Sequence, residues 1–180
     1  QGAVAIGSDG TDMDDPGIPS LQIGAQALGD YAVALGTDTT ALGEGSVAIG
    51  DQSSSSDRAS IAIGPGASVS GADSIGIGRP ALTTAPGAVA IGPDASVQSV
   101  AGTSVGAGSS VTGSDGVALG VLSSASANDA VALGANAAAS AEGATAVGDD
   151  ADASGVESFA GAENSRASGA NAVAIGSDAN

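Results

Sequence analysis

Residues 46–50 read Ser46-Val47-Ala48-Ile49-Gly50, and the chain writes nearly the same phrase repeatedly. It returns as SIAIG at 60–64, SIGIG at 74–78, AVAIG at 88–92, AVALG at 130–134 and AVAIG at 172–176. Aligned on the last residue, Gly36, Gly50, Gly64, Gly78, Gly92, Gly106, Gly120, Gly134 and Gly148 stand 14 apart. Ala162 fills the next slot and Gly176 follows it. A fixed period held this strictly predicts a solenoid, in which each unit leans on its neighbours. Upstream, Gly24 and Gly7 continue the series at spacings of 12 and 17, and SDGTDMDDPGIPS (8–20) reads as a loop inserted there.

Within the unit, Val33, Val47, Ile61, Ile75, Val89, Val117, Val131 and Val173 lie three residues before the slot, with Thr103, Thr145 and Phe159 as variants. Leu35, Ile49, Ile63, Ile77, Ile91, Val105, Leu119, Leu133, Val147 and Ile175 lie one residue before it. A spacing of two puts both rows on one face of a β-strand. No 3.6-residue period fits, and a glycine in every unit disfavours a helix. The second half of the unit alternates too: Ala67 and Val69 against Ser68 and Ser70, Ala95 and Val97 against Ser96 and Gln98, Ser109 and Val111 against Ser110 and Thr112. Two short strands and two glycine-bearing corners make one 14-residue coil. Coils stacked with parallel strands, at ~4.8 Å per step, predict an all-β rod roughly 60 Å long for thirteen slots.

Alternation says which residues share a face. The β-branched pair Val47 and Ile49 is expected to fill the coil, which turns Ala48 outward. Its equivalents are Ala34, Ala62, Gly76, Ala90, Ala118, Ala132, Ala146 and Ala174, with Ser104 and Ala160 completing the row. A solvent face of a strand carries mixed polar residues. A row held this small therefore predicts close packing against another copy of the rod, with these residues at the subunit interface.

Composition narrows the function. The chain has 180 residues, 42% of them hydrophobic, but only one Phe, one Tyr and no Trp, so any core is thin. Regularly placed Val and Ile argue against disorder. Three Arg and no Lys stand against twenty acidic residues, a net charge of −17, which excludes a basic nucleic-acid footprint and disfavours anionic membrane surfaces. With no Cys and no His there is neither a disulfide nor a thiolate or imidazole metal site. Serine is abundant, yet no base stands ready to activate it. The expectation is a non-enzyme without a cofactor. No apolar run nears the ~20 residues of a membrane helix, and no signal-peptide pattern opens the chain. Targeting and anchoring parts of a surface protein are expected outside this segment.

Three features stand out as candidate sites, and the first is the better one. The outward polar residues of the second strands, Ser54, Ser56, Ser68, Ser70, Ser96, Gln98, Ser110 and Thr112, form a hydroxyl-rich ladder whose weak contacts add by avidity. The loop places Asp9, Asp12, Asp14 and Asp15 together, but the EF-hand pattern needs a Glu where Ser20 stands, so no metal site is assigned. Phe159 replaces Val two residues before Gly161, which stands where Ile belongs and reads as volume compensation inside one coil.

The phrases SVAIGDQS (46–53), AVAIGPDA (88–95) and AVAIGSDA (172–179) are similar to those of the heads of trimeric autotransporter adhesins, in particular the YadA-like head. The resemblance runs through nearly the whole of 1–180, read as one head domain with the loop around 8–20 inserted. It implies a left-handed parallel β-roll (a β-solenoid) assembled as a homotrimer. It also implies a place on the bacterial cell surface, held in the outer membrane through a C-terminal part beyond this segment. The implied partners are host extracellular-matrix proteins of the collagen, fibronectin or laminin class. In the family, collagen binding is tied to NSVAIGxxS. Ser46, Val47, Ala48, Ile49, Gly50 and Ser53 match it, with Gly45 in place of Asn, which adds Ser46 and Ser53 to the candidate ligand residues. A structural spacer without a ligand of its own is the alternative. An ice-binding solenoid wants a uniform Thr array, and hexapeptide acyltransferases want 18 residues per coil.

Overall fold

The computed structural model describes residues 2–7 and 24–180. Strands of three and of two residues alternate along it. Twelve three-residue strands, from Val4–Ile6 to Val173–Ile175, stack in parallel as a first sheet. Eleven two-residue strands, from Gln26–Ala27 to Arg166–Ala167, stack as a second. Val47 pairs with Ile61, Ala48 with Ala62 and Ile49 with Ile63, one repeat on, and Ser54 pairs with Ser68. The protein is an all-β parallel β-solenoid with 14 residues per coil. Eleven steps make the first sheet roughly 53 Å long.

The corners explain the invariant slot. Gly50 has φ +129°, and a Cβ there would stand 2.7 Å from the carbonyl carbon of Gly64 in the next coil. Both the backbone conformation and the close stacking demand glycine. Ala162 is the exception and holds φ at 114°. Two residues after the slot the chain turns left-handed, and Asp38, Asp94, Asn136, Asp150, Asn164 and Asp178 occupy that position. These residue types tolerate that region better than most. Corner amides continue the stacking; Gln52 N–H donates to the Thr37 carbonyl at 2.8 Å.

The first coil differs from expectation. Val4 pairs with Val33, 29 residues on, whereas Gln26 pairs with Thr40 at the usual 14. Gly36 N–H donates to the Ile6 carbonyl at 2.9 Å, so Gly7 lies directly beneath Gly36. Gly24 therefore holds no slot of its own, and fifteen extra residues fall between Ile6 and Gln26. The inserted loop expected around 8–20, with its four aspartates, lies outside the described residues.

The interior reverses the expected orientation. Ala34, Ala48, Ala62, Ala90, Ala118, Ala132 and Ala146 are fully buried in the single chain, and Ala174 is 6% exposed. Gly76 points inward as well, since a Cβ on it would meet Val69 Cγ2 at 2.6 Å. These small residues line the inside of the coil and form no outer interface. Val47 and Ile49, expected inside, point outward and are half-buried. The reason is the width of the coil. Each coil turns four side chains inward, such as Ser46, Ala48, Ser53 and Ser55, or Ala130, Ala132, Ala137 and Ala139. The largest fully buried side chains are Val69, Val97 and Val111. Each faces a glycine: Gly76 for Val69, Gly102 for Val97 and Val111, and Gly116 for Val111. Where one sheet contributes a valine, the other has no room for even a methyl. A row of Val and Ile pairs would overpack such an interior.

Hydroxyls inside the coil bond to the corners. Ser53, Ser109 and Ser123 donate to the slot carbonyls of Gly50, Gly106 and Gly120 at 3.0, 2.8 and 2.9 Å. Ser55 and Ser60 share a 2.6 Å hydrogen bond, as do Ser104 and Ser109. Where a buried hydroxyl finds such a partner it avoids its desolvation penalty, but Ser46, Thr83 and Ser158 are buried without one.

Candidate functional site

With the interior filled by small residues, the outer faces carry whatever the rod does. The two differ sharply. On the first sheet, the outward rows run Val33, Val47, Ile61 and onward to Val173, and Leu35, Ile49, Ile63 and onward to Ile175. Neither row contains a charged residue over the length of the rod. Their side chains range from half-buried to exposed, reaching 71% at Ile175. A continuous apolar strip of this length exceeds what a solitary soluble protein normally shows to water.

On the second sheet, the outward residues are hydroxyl-rich, as the alternation predicted. Ser56, Ser68, Ser70, Gln98 and Thr112 are exposed, and Ser54, Ser96 and Ser110 are half-buried. Ser54, Ser68, Leu82, Ser96, Ser110 and Ser124 follow one another in register. The hydroxyls hold few bonds to each other: Ser54 and Ser56 lie 3.4 Å apart, and Thr112 Oγ1 donates to the Ser126 carbonyl at 3.3 Å. They remain open to outside partners. Toward the C-terminal end the ladder becomes charged, with Asp152 and Arg166 paired at 3.0 Å. At a corner, Arg58 pairs with Asp73 at 2.6 Å in the open.

Two candidate ligand residues do not belong to this surface. Ser46 and Ser53 are fully buried. Both sit at inward positions of the strand pattern, Ser53 bonded to Gly50 and Ser46 without a side-chain partner. No external ligand touches them in the folded coil. Among the described residues, no group of three or more acidic side chains is arranged to hold a metal ion. Among the described residues, no helix is long and apolar enough to cross a membrane.

Phe159 lies on the outer face of the first sheet, between Thr145 and Val173 in register. Its ring covers Gly161: a Cβ on that glycine would meet Cε1 at 2.5 Å. The compensation of Phe for Val and Gly for Ile is present, but on the outer face and not inside the coil.

The reading from sequence placed Val47, Ile49 and their equivalents inside the coil, where the structure turns them outward. A signal was available: positions 46 and 48 share a face, and both are small in every coil from 32 to 160. A whole row of small residues on one parity marks the narrow inside.

The family model for the YadA head domain repeat matches residues 23–39, 27–53, 41–67, 70–95, 112–137, 139–160 and 163–179. Among solved structures, the chain is similar to the crystal structure of the collagen-binding domain of the Yersinia adhesin YadA. The two share 29% identity with a TM-score of 0.58, over 98% of this chain and 81% of that one. A search of curated proteins finds no match.

Proposed function

The chain belongs to the family of YadA head domain repeats, and on that premise we propose that it is the head of a bacterial surface adhesin, a non-catalytic rod that attaches to host matrix. Three copies pack side by side through the outer face of the first sheet. The single observation that carries this reading is the contrast between the two outer faces, one uncharged and apolar but for Thr103 and Thr145, the other rich in hydroxyls. Water disfavours the first and tolerates the second. A partner for the apolar face must be as long as the rod and repeat at the same step. Another copy of the face itself meets both demands. Burial of its Val and Ile rows, at ~25 cal/mol per Å², is the driving force for assembly.

The second sheet then remains outward on all copies. Ser54, Ser56, Ser68, Ser70, Ser96, Gln98, Ser110 and Thr112 supply donors and acceptors at each step. Collagen, a long periodic ligand with exposed carbonyls, suits such a surface, and the related Yersinia domain is described as collagen-binding. Fibronectin and laminin are the other matrix candidates. The rod stands at the cell surface, anchored in the outer membrane through a separate C-terminal domain.

The test is a binding assay of the assembled protein on immobilised collagen, fibronectin and laminin. Saturable binding that is lost when Ser68, Ser70, Ser96 and Gln98 are all replaced by Glu supports the adhesin reading. Absence of binding to any matrix by a correctly assembled rod favours a spacer that lifts another domain outward.

A further inference from the structure

The packing face has a difficulty built into its regularity. Each level of the first sheet nearly copies the next, with a branched Val, Ile, Leu or Thr in each row at every level but one. Two copies of the rod slid past each other by one coil, roughly 4.8 Å, still overlap at eleven of the twelve levels, with branched side chains facing branched side chains at most of them. Uniform strands specify register weakly. A closed ring of parallel rods nevertheless requires every copy at one height. Something on the face has to make that height distinct.

One level is distinct. Phe159 is the only phenylalanine of the chain and lies on this face. Its ring is laid over Gly161, so this level presents one broad plate where others present two branched knobs. Thr145 and Val147 lie in the coil before it, Val173 and Ile175 in the coil after. We infer that the Phe159–Gly161 level is the register key by which the rod aligns with a second copy of itself. The inference rests on the side-by-side assembly proposed above. At equal height the plates meet one another, and aromatic rings gain from such contact beyond the area they bury. After a slip of one coil, each plate opposes a Thr–Val or a Val–Ile level. The knobs then stand against a ring, and the shape match fails twice, once for each partner. Specificity of this kind comes from penalising the wrong alignment as well as from favouring the right one.

The experiment uses the absence of cysteine in the sequence. Val117→Cys and Val131→Cys place single thiols one coil apart on one row of the face. The two variants are mixed, refolded together and oxidised. In-register copies give 117–117 and 131–131 disulfides; copies slipped by one coil give 117–131. A disulfide tolerates only a narrow Cα separation, so a one-coil step is resolved. The expected preference for like pairs is about tenfold, the scale of one or two aromatic contacts. The double substitution F159V/G161I restores the residues that other coils carry and leaves the rod able to fold. It is expected to keep the assembled mass while the preference falls toward parity. An unchanged preference in F159V/G161I, a majority of 117–131 links in the parent, or no links at all overturns the register key. A parent mass of 16.3 kDa, the single chain, overturns the assembly itself, so the two failures are told apart by mass alone.

Discussion

Ala48 and Ser55 lie inside one coil, on its two sheets, and both are fully buried. Their neighbours point the other way and have nothing in common: Val47 and Ile49 on the first sheet, Ser54 and Ser56 on the second. The inward sets match because the space between the sheets is narrow and the same for both. On the assembly proposed above, the outward sets differ because they meet different surroundings, one an apolar partner and the other water and ligand. In that reading, bulk apolar residues of this rod serve association, and small ones serve folding. That is the opposite of the usual division, in which β-branched residues make the core and the surface is polar.

The contrast can be broken from either side, and the largest effect belongs to the inside. Ala132→Leu forces a branched side chain into a coil lined only by alanines. It is expected to cost about 3 kcal/mol, the upper part of the range for overpacking, read as a fall in thermal midpoint and loss of β signal by circular dichroism. Retention of the parent midpoint would show that the interior is wider than the contacts around Gly76 and Gly102 imply.

Ile63→Asp, on the outer face of the same sheet, is expected to act differently. The coil keeps its strands, and the mass by light scattering drops to the 16.3 kDa of one chain. Loss of secondary structure together with mass would mean that folding and assembly cannot be separated at this site.

Two smaller changes sharpen the picture. Ala162 holds φ at 114° in the slot that glycine fills in the other complete coils. Ala162→Gly is expected to relieve about 1 kcal/mol of backbone strain and raise the thermal midpoint, checked by differential scanning calorimetry. Asp73→Asn removes the carboxylate paired with Arg58, both more than half exposed. The change is expected to stay under about 1 kcal/mol, and a larger destabilisation by urea titration would give that corner a role that its exposure does not suggest.

Much of this was legible beforehand. The 14-residue period, the two strands per coil and the outward polar side chains of Ser68, Ser70, Gln98 and Thr112 follow from spacing and alternation alone. The first coil was not legible, because Gly24 imitates a slot; only the pairing of Val4 with Val33 shows that Gly7 holds it. Nor were Ser46 and Ser53 placed correctly. A single copy of their motif phrase does not show which side of the strand meets the inside; only the row of small residues repeated through every coil does, and both proved buried.

The sequence by itself determined the repeat, the coil and the parity of every side chain, because glycine slots and a period of two are local constraints on the backbone. The tertiary structure decided which parity faces inward. That choice depends on the distance between two sheets, which no single strand encodes. It emerges only where Val69 meets Gly76 and where Val111 meets Gly102 and Gly116, across the inside of a stack that leaves Val47, Ile49 and their equivalents nowhere to go but out.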